Sequence, residues 1–452
     1  MLKNIIKENQ RVLTGLDVPR EYFSTRPSKR ALDIHALVFP KSHDEVVGLV
    51  NYANRKDLKI IARGAGTGVA EAQYPIHGNE LIIDFKLMDQ ILSLDEETFT
   101  LTVQPGAILG DIHHYVEKRG FYYPPDPASK HSSIGGNVAT NAGGLRALKY
   151  GTTRNFIREL QLVLASGEEM TLGSLNIKSS SGYNLLNLII GSEGTLGIVT
   201  EIKLKLIPLP AETSSVLLAF DDVFLATDAT LAILKSGVHP AGIELFEKDA
   251  VFYAEELLDY PLQSQKGTAY LLVEVEGSNQ KAIEEDLGMI IQATAHLAIE
   301  AIPFFDKKEG IKAKKIRDNI LLGLMKYTEY EMLDEVVPIN KFAELIQYTK
   351  LLQEKHGIEV INFGHAGDGN VHTVLMKGDL TEEEWTSKRK ALLDDLYEEV
   401  ARLGGLPSAE HGIGLVKKEY FEKMTDEVSL KYMRKIKQVF DPDNRLNPGK
   451  LL

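Results

Sequence analysis

The sequence predicts an α+β protein, and three observations carry that prediction. Short β-like runs separated by glycine-rich turns occupy residues 1–210. After the proline pair Pro208 and Pro210 the pattern changes to longer amphipathic helices alternating with strands, as in a separate unit built on an antiparallel sheet. The last stretch, QVFDPDNRLNPGKLL, is too rich in turn formers to be a free helix and is expected to pack back on another part of the chain. The expected organisation is therefore 1–210, 211–408 and 409–452.

The elements follow in order. Ser42 and Glu45 have capping-box spacing, and Val46, Leu49, Val50 and Ala53 continue it as a helical apolar stripe. Strands are expected at LKIIAR (58–63), LIIDF (81–85) and TFTLTV (98–103), with a hairpin about Ser166 and Gly167. A helix over 109–119 should stop at Gly120, and the strand TLGIVTEIKLKLI (195–207) at the prolines. Beyond them, helices are expected over 279–297, 341–355 and 382–403, between strands such as VLLAF, AYLLVEV and IEVINF.

Composition narrows the function. The 452 residues carry 51 basic and 64 acidic side chains, a formal charge of −13, which excludes a nucleic-acid binder working through a basic face. An apolar content of 44% excludes a disordered chain, and at roughly 100–200 residues per domain the length suits two or three cores. With no cysteine there is no disulfide, iron–sulfur cluster, thiolate nucleophile or thioether-linked cofactor on this chain. MLKNIIKENQRVLTG lacks the apolar region of a signal peptide and no window approaches the roughly 20 apolar residues of a membrane span, so a cytoplasmic location without an integral membrane segment is expected.

Two segments carry the first chemical signals. ARGAGTG (62–68) follows a strand, and its glycines let backbone N–H groups approach phosphate oxygens. A Rossmann reading fails, because Val69 takes the third-glycine position and Tyr74-Pro75 leaves no room for the helix. Taken alone the segment remains either a phosphate loop or a plain turn. FYYPPDPASKHSSIGGNVATNAGG (121–144) joins a proline run to two Gly-Gly pairs, and neither a buried helix nor a regular central strand is expected in it. Ordered, such a stretch would wrap a large planar ligand with many backbone donors and little bulk. GSEGTLGIVT (191–200) repeats the glycine-then-strand arrangement.

In this order and spacing ARGAGTG, PPDPASK, IGGNVATNAGG with the following KYGTTR, and GSEGTLGIVT resemble the FAD-binding domain of the vanillyl-alcohol-oxidase (PCMH-type) flavoprotein superfamily. The downstream motifs resemble its D-lactate dehydrogenase and glycolate oxidase catalytic-subunit branch, from about residue 40 to 452. The resemblance implies a two-part FAD-binding domain with an α+β substrate (cap) domain. It makes Arg63, Gly64, Ala65, Gly66, Thr67 and Gly68 the pyrophosphate loop. Pro125, Asp126, Pro127, Ser129, Ile134, Gly135, Gly136, Asn137, Thr140 and Asn141 would line the FAD. Gly144, Tyr150, Gly151, Glu193, Gly194, Ile198 and Asn447 would complete its contacts. Relatives with covalent flavin carry a histidine where this chain has Thr67, and a cysteine elsewhere, so the FAD here is expected to be non-covalent.

GHAGDGNVH (364–372) and SAEHGIG (408–414) carry the next signal. Glycines leave His365 and His372 able to turn inward, and with Glu410 they would form a three-ligand set for a Lewis-acid metal; by spacing alone hydrogen-bonded loop histidines are the commoner reading. The resemblance implies a divalent ion at His365, His372 and Glu410, and Zn²⁺, Fe²⁺ or Mn²⁺ would suit them. His411 is a candidate general base, or a residue orienting Glu410. Arg317, in KKIRDNI, matches the arginine that pairs with substrate carboxylate in relatives, against the plain alternative of an exposed helix charge. By the same resemblance Asn370 would lie between substrate and flavin.

The implied activity is oxidation of a D-2-hydroxy acid to a 2-oxo acid, with hydride passing to flavin N5 and the metal polarising the substrate. Leu321 and Met332 favour a small monocarboxylate such as lactate or glycolate, while Lys326 leaves a dicarboxylic substrate open. The electron acceptor would be an electron-transfer flavoprotein in preference to oxygen, or a quinone, and the fold is compatible with a homo-oligomer. A metal-dependent hydrolase would lack flavin colour. A non-catalytic FAD-binding subunit could dispense with the two-histidine loop.

Overall fold

Ser42 accepts the Glu45 backbone N–H and starts the helix His43–Lys56, whose buried Val46, Leu49, Val50 and Ala53 pack on a parallel sheet. The computed structural model describes residues 2–23, 33–305 and 307–452. The chain divides into two units, the first formed by Met1–Gly143, Thr152–Leu209 and Glu410–Leu452, the second by Gly144–Gly151 and Pro210–Ala409.

In the first unit Ala36–Val38, Glu80–Asp84 and Lys59–Arg63 run parallel, with Val12–Leu13 antiparallel at one edge. The other edge receives the C-terminal segment: Ile60 N–H donates to the Arg445 carbonyl at 2.7 Å and Asn447 N–H to the Ile60 carbonyl at 2.8 Å. The turn-rich C-terminus thus packs back, as expected, and its Leu446 joins the core beside Ile60. A five-stranded antiparallel sheet has the order Ile91–Asp95, Thr100–Val103, Ile198–Lys205, Ile157–Val163, Glu169–Gly173, the last two strands forming the hairpin about Ser166 and Gly167.

One expectation is overturned within residues 121–144. Ile134–Thr140 is a helix, capped by the Ser133 side chain on Gly136 N–H, and Ile134 and Val138 are fully buried. The cap and that burial outweigh the roughly 1 kcal/mol that each interior glycine costs a helix. The chain leaves it through Asn141 in the left-handed conformation, φ 53°.

The second unit is an eight-stranded sheet, antiparallel throughout. Its central order is Glu300–Phe304, Glu212–Phe220, Ala269–Gly277, Gly242–Glu247, Glu359–His365, Asn370–Met376. One face carries Leu217, Phe246, Tyr270, Leu272, Phe363 and Val374, packed with residues of the helices Lys248–Leu258, Lys307–Asp318 and Ile320–Leu324. Helices Val223–Lys235, Gln280–Thr294, Phe342–His356 and Glu382–Arg402 complete the α+β arrangement.

Candidate active site

The glycine-rich turn after Lys59–Arg63 opens a cleft in the first unit, with about 1010 Å³ of empty space including open solvent. The turn packs on the start of the Ile134–Thr140 helix: Ser133 Oγ accepts from Ala65 N–H at 3.1 Å and Gly136 N–H at 3.3 Å. A Cβ at Gly64 would stand 2.1 Å from Ser133 Oγ, so only glycine allows this approach.

Arg63, Gly64, Ala65, Gly66, Thr67 and Gly68 all line the cleft, as do Gly135, Gly136, Asn137, Thr140, Glu193, Gly194 and Asn447. Three further groups point to a polar occupant. Arg63 Nη1, Asn137 Nδ2 and Ser132 Oγ are buried at the cleft without a hydrogen-bond partner among the described residues. A guanidinium, an amide and a hydroxyl left in this state suit the phosphate and ring oxygens of a dinucleotide. Arg63 is held in place by Tyr22, whose ring centroid lies 4.4 Å from its Cζ, and by the buried Asp84 at 3.9 Å. Burial raises the Asp84 carboxyl above the usual carboxylate range, although Tyr22 donates to it at 2.7 Å.

Other expected cofactor residues lie elsewhere. Pro125, Asp126, Pro127 and Ser129 precede the lining segment; the Pro125 carbonyl contacts His113 Nε2 at 3.1 Å, and Asp126 pairs with Lys130. Ile134 and Ile198 are core residues. Asn141 spends its Oδ1 on Thr152 Oγ1 and Arg154 N–H, each at 2.9 Å. Gly144, Tyr150 and Gly151 belong to the second unit, where Tyr150 donates to Glu276 at 2.5 Å.

In the second unit the hairpin joining Glu359–His365 to Asn370–Met376 places its polar residues by register. His365 is opposite Asn370, and Phe363 opposite His372. On the other side Glu244 is opposite His365. Since alternate residues share a face, Glu244, His365, Asn370 and His372 form a buried polar patch on the face that also carries Phe246 and Phe363. His365 Nδ1 is 2.7 Å from Glu244 Oε1, and its Nε2 is 3.4 Å from His372 Nε2. Two imidazole nitrogens bound to one tetrahedral Zn²⁺ at about 2.0–2.1 Å stand about 3.3–3.4 Å apart, so this pair fits a divalent cation.

Arg317 is not the exposed helix charge that its lysine-rich surroundings suggest. It is 7% exposed and ion-paired with Glu244, and its Nε is buried without a hydrogen-bond partner among the described residues. Burial pushes the Glu244 carboxyl up, but the charge of Arg317 and the hydrogen bond from His365 prevail and hold it below the usual range. Asn370 commits its amide protons to Asp334 Oδ1 at 3.1 Å and the Glu335 carbonyl at 2.9 Å. Asp334 also accepts from Ser408 Oγ and Ala409 N–H, bracing the chain just before Glu410.

Glu410 and His411 belong to the first unit, where Glu410 lies so near Gly143 that a Cβ there would meet its Oε2 at 3.0 Å. Leu321 and Met332 are partly buried and pack against the apolar core of the second unit, and Lys326 is exposed. Sequence reasoning passed over Glu244 and Asp334. For Glu244 a signal was present, an acidic residue inside the apolar strand GIELFE.

Residues 209–451 match the family described as FAD linked oxidases, C-terminal domain, and residues 34–173 the one described as FAD binding domain. The chain is 37% identical over 428 residues to a D-lactate dehydrogenase of Anaerostipes hadrus, covering 92% of this chain and 89% of that one. It is 34% identical to the glycolate oxidase subunit GlcD of Bacillus subtilis, covering 92% and 88%. Among solved structures, p-cresol methylhydroxylase superposes with a TM-score of 0.79 at 16% identity, covering 100% of this chain and 95% of that one, a likeness of fold.

Proposed function

The chain belongs to the FAD-linked oxidase family, and from that premise we propose that it is an FAD-dependent dehydrogenase taking a D-2-hydroxy acid of the lactate or glycolate type to its 2-oxo acid. The observation that carries the substrate class is the grouping of Arg317, His365 and His372 on one buried patch. A 2-hydroxy acid presents a carboxylate suited to a guanidinium and two neighbouring oxygens suited to a divalent cation.

When bound, FAD supplies the two-electron acceptor and a divalent cation supplies a Lewis acid that lowers the pKa of the substrate hydroxyl. His365 and His372 would hold the cation through Nε2, and Glu410 is proposed as a third ligand on family resemblance. Arg317 would offer its unpartnered Nε–H to the substrate carboxylate. His411 would take the hydroxyl proton, a transfer suited to an imidazole near neutrality. Arg63, Asn137 and Ser132 would hold the dinucleotide. With no cysteine for an on-board cluster, the electrons would leave to an electron-transfer flavoprotein or a quinone.

The test is anaerobic bleaching of the bound flavin by D- and L-lactate, glycolate and D-2-hydroxyglutarate. Bleaching by D-lactate or glycolate is expected. Bleaching by the dicarboxylate alone would move the substrate class, and a protein that retained no flavin would end the reading. His411→Ala should lower turnover by about 10²–10⁴, the range of general-base contributions; unchanged turnover would remove His411 from the mechanism.

A further inference from the structure

We propose that Glu244 is a positioning residue that sets His365 as a cation ligand and holds Arg317 beside it, so that one buried carboxylate organises both halves of the substrate grip. This rests on the reading of His365, His372 and Arg317 given above. Glu244 touches neither substrate nor cofactor in that reading and acts through its two partners.

The geometry decides the histidine tautomer. Glu244 Oε1 lies 2.7 Å from His365 Nδ1, while Arg317 Nη2 lies 3.3 Å from the same nitrogen. A carboxylate only accepts and a guanidinium only donates, so the two contacts demand opposite states of Nδ1. Two acceptors facing each other at 2.7 Å would repel strongly, whereas a donor facing a donor at 3.3 Å can be tolerated. The shorter contact therefore prevails and Nδ1 carries the proton. Nε2 is left with its lone pair turned toward His372 Nε2, 3.4 Å away, the form a cation ligand requires.

Glu244 is 1% exposed and Arg317 7%, and the two charges are ion-paired, as buried charges must be to persist. Strand register makes the arrangement rigid: Glu244 and His365 are directly opposite on neighbouring antiparallel strands, and Arg317 arrives from the helix Lys307–Asp318 packed on that face.

The experiment uses the flavin-loaded protein freed of divalent cations by a chelator and titrated with Mn²⁺, free Mn²⁺ being read by electron paramagnetic resonance. Wild type, Glu244→Gln and Glu244→Asp are compared, with flavin absorbance as the control for folding. Loss of a carboxylate behind a ligating histidine is expected to weaken Mn²⁺ binding about 10–100-fold in Glu244→Gln, with partial recovery in Glu244→Asp. Unchanged affinity in a flavin-retaining Glu244→Gln overturns the inference while leaving the site reading intact. Failure of wild type to bind Mn²⁺ overturns both. Should the variants not fold, long-range ¹⁵N–¹H correlation on cation-free wild type, assigned with His365→Gln, reads the tautomer directly. An Nδ1–H imidazole supports the proposal, and an Nε2–H or doubly protonated ring overturns it.

Discussion

The Glu193 carboxylate accepts the backbone N–H of Ile413 at 2.7 Å, a contact between residues 220 positions apart. Its second oxygen accepts Gly414 N–H at 2.8 Å, and its own carbonyl accepts from Asn447 Nδ2 at 2.8 Å. Glu193 adopts a left-handed backbone, φ 52°, and burial raises its carboxyl above the usual range despite the two donors. A residue so constrained ties the C-terminal segment to the rim of the first unit's cleft.

Glu193→Ala leaves two interior N–H groups unpaired, each worth about 1–3 kcal/mol. Hydrogen exchange at Ile413 and Gly414 is expected to accelerate markedly; protection equal to wild type at both amides would show that Glu193 does not hold the segment.

Gly64→Ala puts a methyl group 2.1 Å from Ser133 Oγ, whereas a Cβ at Gly68 meets nothing nearer than Gln73 Oε1 at 3.7 Å. Gly64→Ala should weaken flavin binding at least about tenfold, equal to 1.4 kcal/mol, with Gly68→Ala as the milder comparison. Fluorescence titration of the flavin-free protein with FAD measures both. Equal affinities would remove the steric argument.

The family resemblance implies FAD held without a covalent bond, since this chain has Thr67 at the attachment position of the glycine loop and no cysteine. Acid precipitation should therefore release all yellow colour into the supernatant. Flavin fluorescence remaining on the denatured polypeptide in a gel would contradict non-covalent binding.

Lys450 is 1% exposed and donates to Asn447 Oδ1 at 3.0 Å; burial lowers its pKa to about 8, partly offset by the charge of Glu80. Between pH 8 and the ordinary lysine value of 10.5 the unfolded chain holds the proton more firmly than the folded one, so this residue makes stability rise with pH across that window, by at most about 1.4 kcal/mol per unit. Denaturant melts of wild type and Lys450→Met at several pH values isolate the effect. The variant should be the more stable at pH 7, and the gap should close toward pH 10; a constant gap would refute the buried-lysine account.

Much of the secondary structure was legible because it is written in local periodicity. Ser42 with the stripe Val46, Leu49, Val50 and Ala53 specifies its helix, and Ser166-Gly167 its hairpin. The Ile134–Thr140 helix was not legible, since its Gly-Gly pair argues against a helix and its support comes from burial of Ile134 and Val138. The glycine loop at 62–68, readable by composition as a phosphate loop or a plain turn, lines the first unit's cleft, whereas only the fold pairs Tyr150 with Glu276.

The chain by itself determined the chemical inventory: no thiols, a glycine loop after a strand, two histidines seven residues apart, and one arginine in a lysine-rich helix. Tertiary structure alone decided that Glu244 stands between that arginine and His365, 121 positions away along the chain. The reason is physical: register across an antiparallel sheet brings distant residues face to face, and no local spacing encodes which strands become neighbours.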